Sequence, residues 1–324
     1  MGGVKWRIYV PAEVITEYAG VKLREYYTNP EIMLRSQLKV KDIFNKIYGL
    51  PDAVTVSPDY GSYVEASMLG LKIIFPEDGV PWPEGPILKS IKDVNKLKIL
   101  NPYKEGLMSR AIQTYYYMKE KVGKRINIEL GGTEGPITTA VLLRGQEFFV
   151  DLYLYPKEVH KLLEIVTEVS LMLREVIERV TGEPIRSTGI ADDYSGMLSP
   201  DQYIEFAFPY QKEIYNVFGK EERIFHCELL RKEHLKFLSQ LGVTFYDPGG
   251  DQYLTIKDIK EEIDIPFSWN IKAFHTLLYG TPESIKREYR QAVADGAPWI
   301  VTELVRKIPP ENIRAFIEVA KEYE

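Results

Sequence analysis

Short β-branched runs that alternate with long amphipathic segments constrain this chain more than any other feature. The runs cover residues 53–57, 125–130, 186–190, 223–227, 243–246, 267–270 and 299–302. Such alternation signals βα units around a parallel sheet. In residues 156–180, Val159, Leu162, Leu163, Val166, Val169 and Leu173 fall on one stripe at helical spacing, and Pro156 suits the first turn. Thr281-Pro282-Glu283-Ser284 and Ser199-Pro200-Asp201-Gln202 each set a hydroxyl residue before a proline, which predicts two further helix starts. No Gly/Ser linker or low-complexity break interrupts the pattern, so residues 1–324 are expected to form a single α/β domain, a closed (β/α)8 TIM barrel. A doubly wound open sheet is the rival topology.

Composition narrows the function. At 324 residues and 45% hydrophobic content the chain is long enough for a barrel-sized core. A net charge of -6 and the lack of a dense Lys/Arg block exclude a nucleic-acid binder held by phosphate neutralisation. No apolar run approaches the roughly 20 residues needed to cross a bilayer, so no membrane partner is expected. Cys227 is the 1 cysteine, which excludes an intrachain disulfide. With no apolar leader after Met1, a cytoplasmic protein is expected.

In a barrel the chemistry gathers where strands end and loops begin. The residues in such places are Asp59, Glu134, Asp192, Asp193, His226, Cys227, Glu228, Asp247, Asp251, Asn270 and Glu303. Many aspartates of this kind serve as caps and turn residues. The segment Phe225-His226-Cys227-Glu228 stands out, because alternate residues of a strand share a face. His226 and Glu228 would therefore point together and Cys227 away. An imidazole and a carboxylate at a strand end form part of a three-ligand catalytic zinc site with an open position; packing or hydrogen bonding of His226 is the alternative. His160 and His234 fall in amphipathic helices, where solvated side chains are expected. His275 follows the run that ends at Asn270.

Several short motifs, taken in order, resemble the uroporphyrinogen decarboxylase superfamily, and in particular its cobamide-dependent methyltransferases of the methylcobalamin:coenzyme M type. They are Glu17-Tyr18-Ala19-Gly20, Glu65-Ala66-Ser67-Met68-Leu69-Gly70, Gly135-Pro136-Ile137-Thr138, Ala191-Asp192-Asp193 before Leu198-Ser199-Pro200, Phe208-Pro209-Tyr210, Gly280-Thr281-Pro282-Glu283 and Pro310-Glu311-Asn312-Ile313. The resemblance spans about residues 10–313 and implies the (β/α)8 barrel.

The decarboxylases of this superfamily flank an Ala-Gly pair with arginines that bind substrate carboxylates. Glu17 and Val21 hold the corresponding places here, and the late His-Gly motif is absent from residues 302–307. Asp59 matches the decarboxylase acid by position. It is expected either as a retained structural or substrate-orienting acid or, in the alternative reading, as the catalytic acid of a lyase. The methyltransferases carry His-x-Cys and a late cysteine as zinc ligands. In the same register this chain has His226-x-Glu228, with Glu303 as the candidate third ligand. Hard carboxylates in place of thiolates would leave zinc more Lewis acidic.

The resemblance thus implies a zinc-dependent methyltransferase that moves a methyl group between a corrinoid (cobalamin) and a small thiol or methylated O/N substrate. Asp59 and Asp193 would orient groups in the site. No corrinoid-binding signature is present, so the corrinoid is expected on a partner protein, and a homodimer is compatible with the sequence. A non-catalytic barrel that has lost its metal site is the remaining alternative.

Overall fold

The computed structural model describes residues 3–50, 55–131, 134–250 and 253–324. Its strands, in chain order, are β1 (Lys5–Tyr9), β2 (Thr55–Val56), β3 (Ile73–Ile74), β4 (Trp82–Pro83), β5 (Asn127–Ile128), β6 (Ser187–Ala191), β7 (Glu222–His226), β8 (Phe245–Asp247), β9 (Ser268–Asn270) and β10 (Trp299–Glu303). β3 and β4 form a small antiparallel hairpin in the loop region after β2. The pairings of the other eight strands are all parallel. β2 pairs with β5, β6 with β7 and β7 with β8. Isolated parallel bridges, Glu134 to Ala191 and Tyr246 to Phe267, join these pieces, and β9 pairs with β10, which pairs with β1. Among the described residues no ladder connects β1 to β2, which leaves a seam there, and single bridges alone join the sheets before β6 and after β8, so the ladders do not close into a ring. Part of the run expected at 53–57 lies outside the described residues, as does Asp251.

Register explains how the core is layered. Ile190, Phe225 and Tyr246 stand opposite one another on β6, β7 and β8, and all are buried. The next row, Glu134, Ala191, His226 and Asp247, faces the opposite side because side chains alternate along a strand. One row therefore packs outward against helices, and the next meets the mouth of the barrel.

The long helix Pro156–Thr181 buries all six residues of the expected stripe. Arg174 on its inner side, 2% exposed, donates to Thr188 Oγ1 (2.9 Å), Gly189 O (2.9 Å) and Ser170 O (3.1 Å), which locks the helix to β6. Thr281 and Ser199 cap their helices by accepting from the main-chain N–H of Ser284 and Gln202. No helix among the described residues is long and apolar enough to cross a membrane.

Two histidines correct the expectation of solvated side chains. His234 is 1% exposed; its Nδ1 accepts from Arg231 N–H and its Nε2 is 2.9 Å from Leu198 O. His160 is half-buried, stacked on Phe206 and hydrogen-bonded through Nδ1 to the Tyr210 hydroxyl at 2.8 Å. Each ring has a polar main-chain or hydroxyl partner at the helix–helix contact, which makes its burial tolerable.

Candidate active site at the carboxyl ends of the strands

His226 is the last residue of β7, and the parallel register sets it between Ala191 of β6 and Asp247 of β8. Its Nδ1–H donates to Asp247 Oδ2 at 2.9 Å, which turns Nε2 away from that carboxylate. Burial alone would push this imidazole down. The Asp247 hydrogen bond and the charges of Asp247, Asp193 and Glu228 outweigh it and hold the pKa at about 9. Burial would likewise raise Asp247, but the His226 contact, the Ser268 hydroxyl and the Gly249 N–H keep it below the usual carboxylate range.

Glu228 lies beside His226, although β7 ends at His226 and Glu228 stands in the turn that follows. The chain turns at Asp247-Pro248-Gly249-Gly250 directly over the pair. A Cβ added to Gly249 would stand 2.5 Å from Glu228 Oε1 and 2.7 Å from His226 Cε1. Gly250 N–H donates to Glu228 Oε1 at 2.8 Å, and Asp193 Oδ1 accepts the Glu228 N–H at 2.7 Å. The same Asp193 oxygen is 3.8 Å from His226 Nε2. Cys227 points away and is fully buried, with Sγ 3.4 Å from Asp193 O, and burial pushes its thiol far above the ordinary range.

Glu303 ends β10 and, with Glu228, Glu13, Asn270, His275 and Arg306, lines a cavity of about 750 Å³. Partial burial and the facing carboxylates of Glu13 and Glu228 raise its pKa. His275 is exposed in the π-helical segment Ala273–Leu278 that follows β9. Asp59 stands apart. It lines a different cavity of about 1140 Å³ that opens at the β1/β2 seam, and Pro11 borders both spaces. Tyr26 donates its hydroxyl to Asp59 Oδ2 at 3.2 Å, Gly61 N–H donates to Oδ1 at 3.1 Å, and burial raises the acid's pKa.

The family model for uroporphyrinogen decarboxylase (URO-D) matches residues 8–323. This chain belongs to the uroporphyrinogen decarboxylase family. Among its curated relatives, uroporphyrinogen decarboxylase of Vesicomyosocius okutanii is 24% identical over 298 residues, covering 88% of this chain and 79% of the relative. The enzyme of the same name from Geobacter metallireducens is 22% identical over 333 residues, covering 97% and 92%. Among solved structures, a methyltransferase from Methanosarcina mazei superposes with a TM-score of 0.77 at 20% identity, covering 100% of this chain and 95% of the other. A putative vitamin-B12 independent methionine synthase from Listeria monocytogenes reaches a TM-score of 0.51 at 10% identity, covering 90% and 87%. These structural likenesses concern the fold. The chain is thus a member of an enzyme family with an α/β architecture.

Within this family member, the donors at the end of β7 suit a divalent cation in kind. A histidine tied through one ring nitrogen to a carboxylate presents the other in a fixed direction, an arrangement common behind metal ligands. Glu228 and Glu303 add oxygen donors on the same cavity. As the side chains stand, no three His, Cys, Asp or Glu residues among the described residues are gathered closely enough to hold a metal ion. Binding by this set therefore requires the two glutamates to turn toward Nε2.

Asp192 belongs to the framework. It is fully buried, with its carboxylate accepting from Thr138 N–H (2.7 Å) and Gln211 Nε2 (2.8 Å), and burial raises its pKa to about 6. Sequence reasoning placed Asp247 on the rim without a role and passed over Glu13 and Gly249. The Asp-Pro-Gly-Gly turn directly after a strand was the available signal for Asp247 and Gly249. Glu13 precedes the second strand in a helix and gave none.

Proposed function

We propose that this chain is a zinc-dependent methyltransferase that moves a methyl group between a corrinoid held by a separate protein and a small thiol or methylated O/N substrate. The observation that carries the reading is the Nε2 of His226, fixed from behind by Asp247 and set beside Glu228; with a pKa at about 9 the ring is protonated at neutral pH, so a metal would displace the Nε2 proton. His226, Glu228 and Glu303 would hold the metal, which when bound supplies Lewis acidity to the substrate heteroatom. Asp247 fixes the ring orientation of His226, and Asp193 fixes the main chain that carries Glu228. Gly250 N–H holds one Glu228 oxygen and so sets the plane of the carboxylate. The cavity beside Glu303 gives a small molecule access to this group. Asp59, on the other side of Pro11, would act on substrate parts that reach the second cavity. Absence of the paired arginines near Ala19-Gly20 weighs against a polycarboxylated tetrapyrrole as substrate.

Metal content decides the matter. Protein purified without chelator or an affinity-tag polyhistidine should carry close to one zinc per chain, and His226→Ala should lose both the zinc and methyl transfer to or from added cobalamin. Cys227→Ser should keep its zinc, because the thiol points away from the pair. No zinc in the unmodified protein, or unchanged zinc and turnover in His226→Ala, would sink the assignment. Turnover without metal or corrinoid that disappears in Asp59→Asn would establish the lyase instead.

A further inference from the structure

Asp247 is held at both of its carboxylate oxygens. Oδ2 accepts the His226 Nδ1–H at 2.9 Å, while Oδ1 accepts the Ser268 hydroxyl at 2.5 Å and the Gly249 N–H at 3.1 Å. The terminal torsion of an aspartate has a broad, roughly two-fold energy profile, so its hydrogen-bond partners and not a rotamer preference set the plane of the carboxylate. Gly249 lies two residues from Asp247 on the same turn and moves with it. Ser268 is the partner at Oδ1 that stands on another strand, and at 2% exposure its hydroxyl is closed off from solvent.

That strand belongs to a different sheet. Ser268 opens β9 and stands opposite Trp299 of β10, the strand that ends in Glu303. Asp247 ends β8, which pairs with the β7 that ends in His226. Between the two sheets, among the described residues, the main chains of β8 and β9 meet in one isolated bridge, Tyr246 to Phe267. The Ser268–Asp247 hydrogen bond lies one residue beyond that bridge on both strands. It therefore ties the wall that carries His226 to the wall that carries Glu303.

We propose that Ser268 is a positioning residue of the site: its hydroxyl sets the plane of the Asp247 carboxylate, and through it the direction in which His226 presents Nε2 toward the sheet of Glu303. With the hydroxyl gone, Oδ1 keeps its bond from the Asp247 turn alone, and the carboxylate and the ring behind it can swing together. The consequence for metal affinity rests on the zinc reading; the orientation of the ring does not.

Proton exchange at the His226 ring tests the orientation in the whole, metal-free chain. Nuclear magnetic resonance of protein labelled with nitrogen-15 at its 4 histidines should show a Nδ1–H signal that His226→Gln removes. In Ser268→Ala that proton should exchange with water roughly tenfold faster, the equivalent of one lost hydrogen bond. Ser268→Thr, which keeps the hydroxyl, should restore the slower rate; should its added methyl prevent folding, Ser268→Ala alone decides. No such signal in the unmodified protein, or an unchanged rate in Ser268→Ala, overturns the proposal. So does an increase that the main-chain amides of β8 and β9 share equally, since the strands themselves would then have parted. Zinc titration tests the consequence: Ser268→Ala should bind zinc roughly tenfold more weakly, as expected for a partner behind a metal ligand, and equal affinity overturns the link to the metal. No zinc in either protein would instead remove the metal reading and leave the orientation of the ring standing.

Discussion

Gly249 has a left-handed backbone, φ 53°, and the space a side chain would need is filled by His226 and Glu228. Gly249→Ala should cost about 1–2 kcal/mol for the backbone alone and should also displace the two glutamate and histidine side chains. The expected outcome is a larger loss of zinc affinity than of thermal stability, measured by metal titration beside a melting curve. His234 supports a prediction about pH. Burial lowers its pKa despite the Leu198 hydrogen bond, so the unfolded chain binds the proton more tightly than the folded one. Its contribution to stability is therefore present above the ordinary histidine pKa of about 6.5 and is lost as pH falls below it. Unfolding free energy measured across pH 5 to 8 should rise more steeply with pH in the unmodified protein than in His234→Gln. At this scale the sequence sets His226 and Glu228 two residues apart at a strand end, but the turn after His226, rather than strand alternation, carries Cys227 and Glu228. It was uninformative for His160 and His234, because helical periodicity places a histidine on a face but does not reveal a hydroxyl or carbonyl waiting across the interface.

Between elements, the contact of helix Pro156–Thr181 with β6 depends on a charge inside an apolar layer. Arg174 bonds to the strand through Thr188 and Gly189 and faces the charge of Glu65. Arg174→Met would remove these bonds and leave Glu65 without a facing cation. We expect a loss of about 3–5 kcal/mol in a denaturant titration, partly restored by adding Glu65→Gln. The apolar stripe of this helix was legible because hydrophobic spacing reports burial directly. Arg174 was not, since a lone arginine four residues from Ser170 reads as a solvated side chain until the strand beneath it is known. The strands were found to within a few residues from 125 onward. β1 escaped notice because Lys5 and Arg7 alternate with half-buried Trp6 and Ile8, giving a charged appearance to a paired strand.

Across the whole molecule, the order of βα units was readable because each unit is local, whereas the pairing of β1 with β10 joins distant parts of the chain and leaves no periodic mark. The same holds for the site. His226 and Glu228 are neighbours in sequence, but Asp193 and Asp247 meet them only through strand order. The seam between β1 and β2 has a kinetic meaning. β1 is held by a ladder to β10 on one side, while β7 has ladders on both. Opening that exposes amide protons should start at the unladdered edge and reach β7 last. Hydrogen–deuterium exchange should therefore show β1 and β2 exchanging well before β7, and equal rates would contradict this. The chain would then breathe at the β1/β2 seam while the backbone beneath His226 stays still, so that access for a ligand and steadiness of the candidate site fall to different strands.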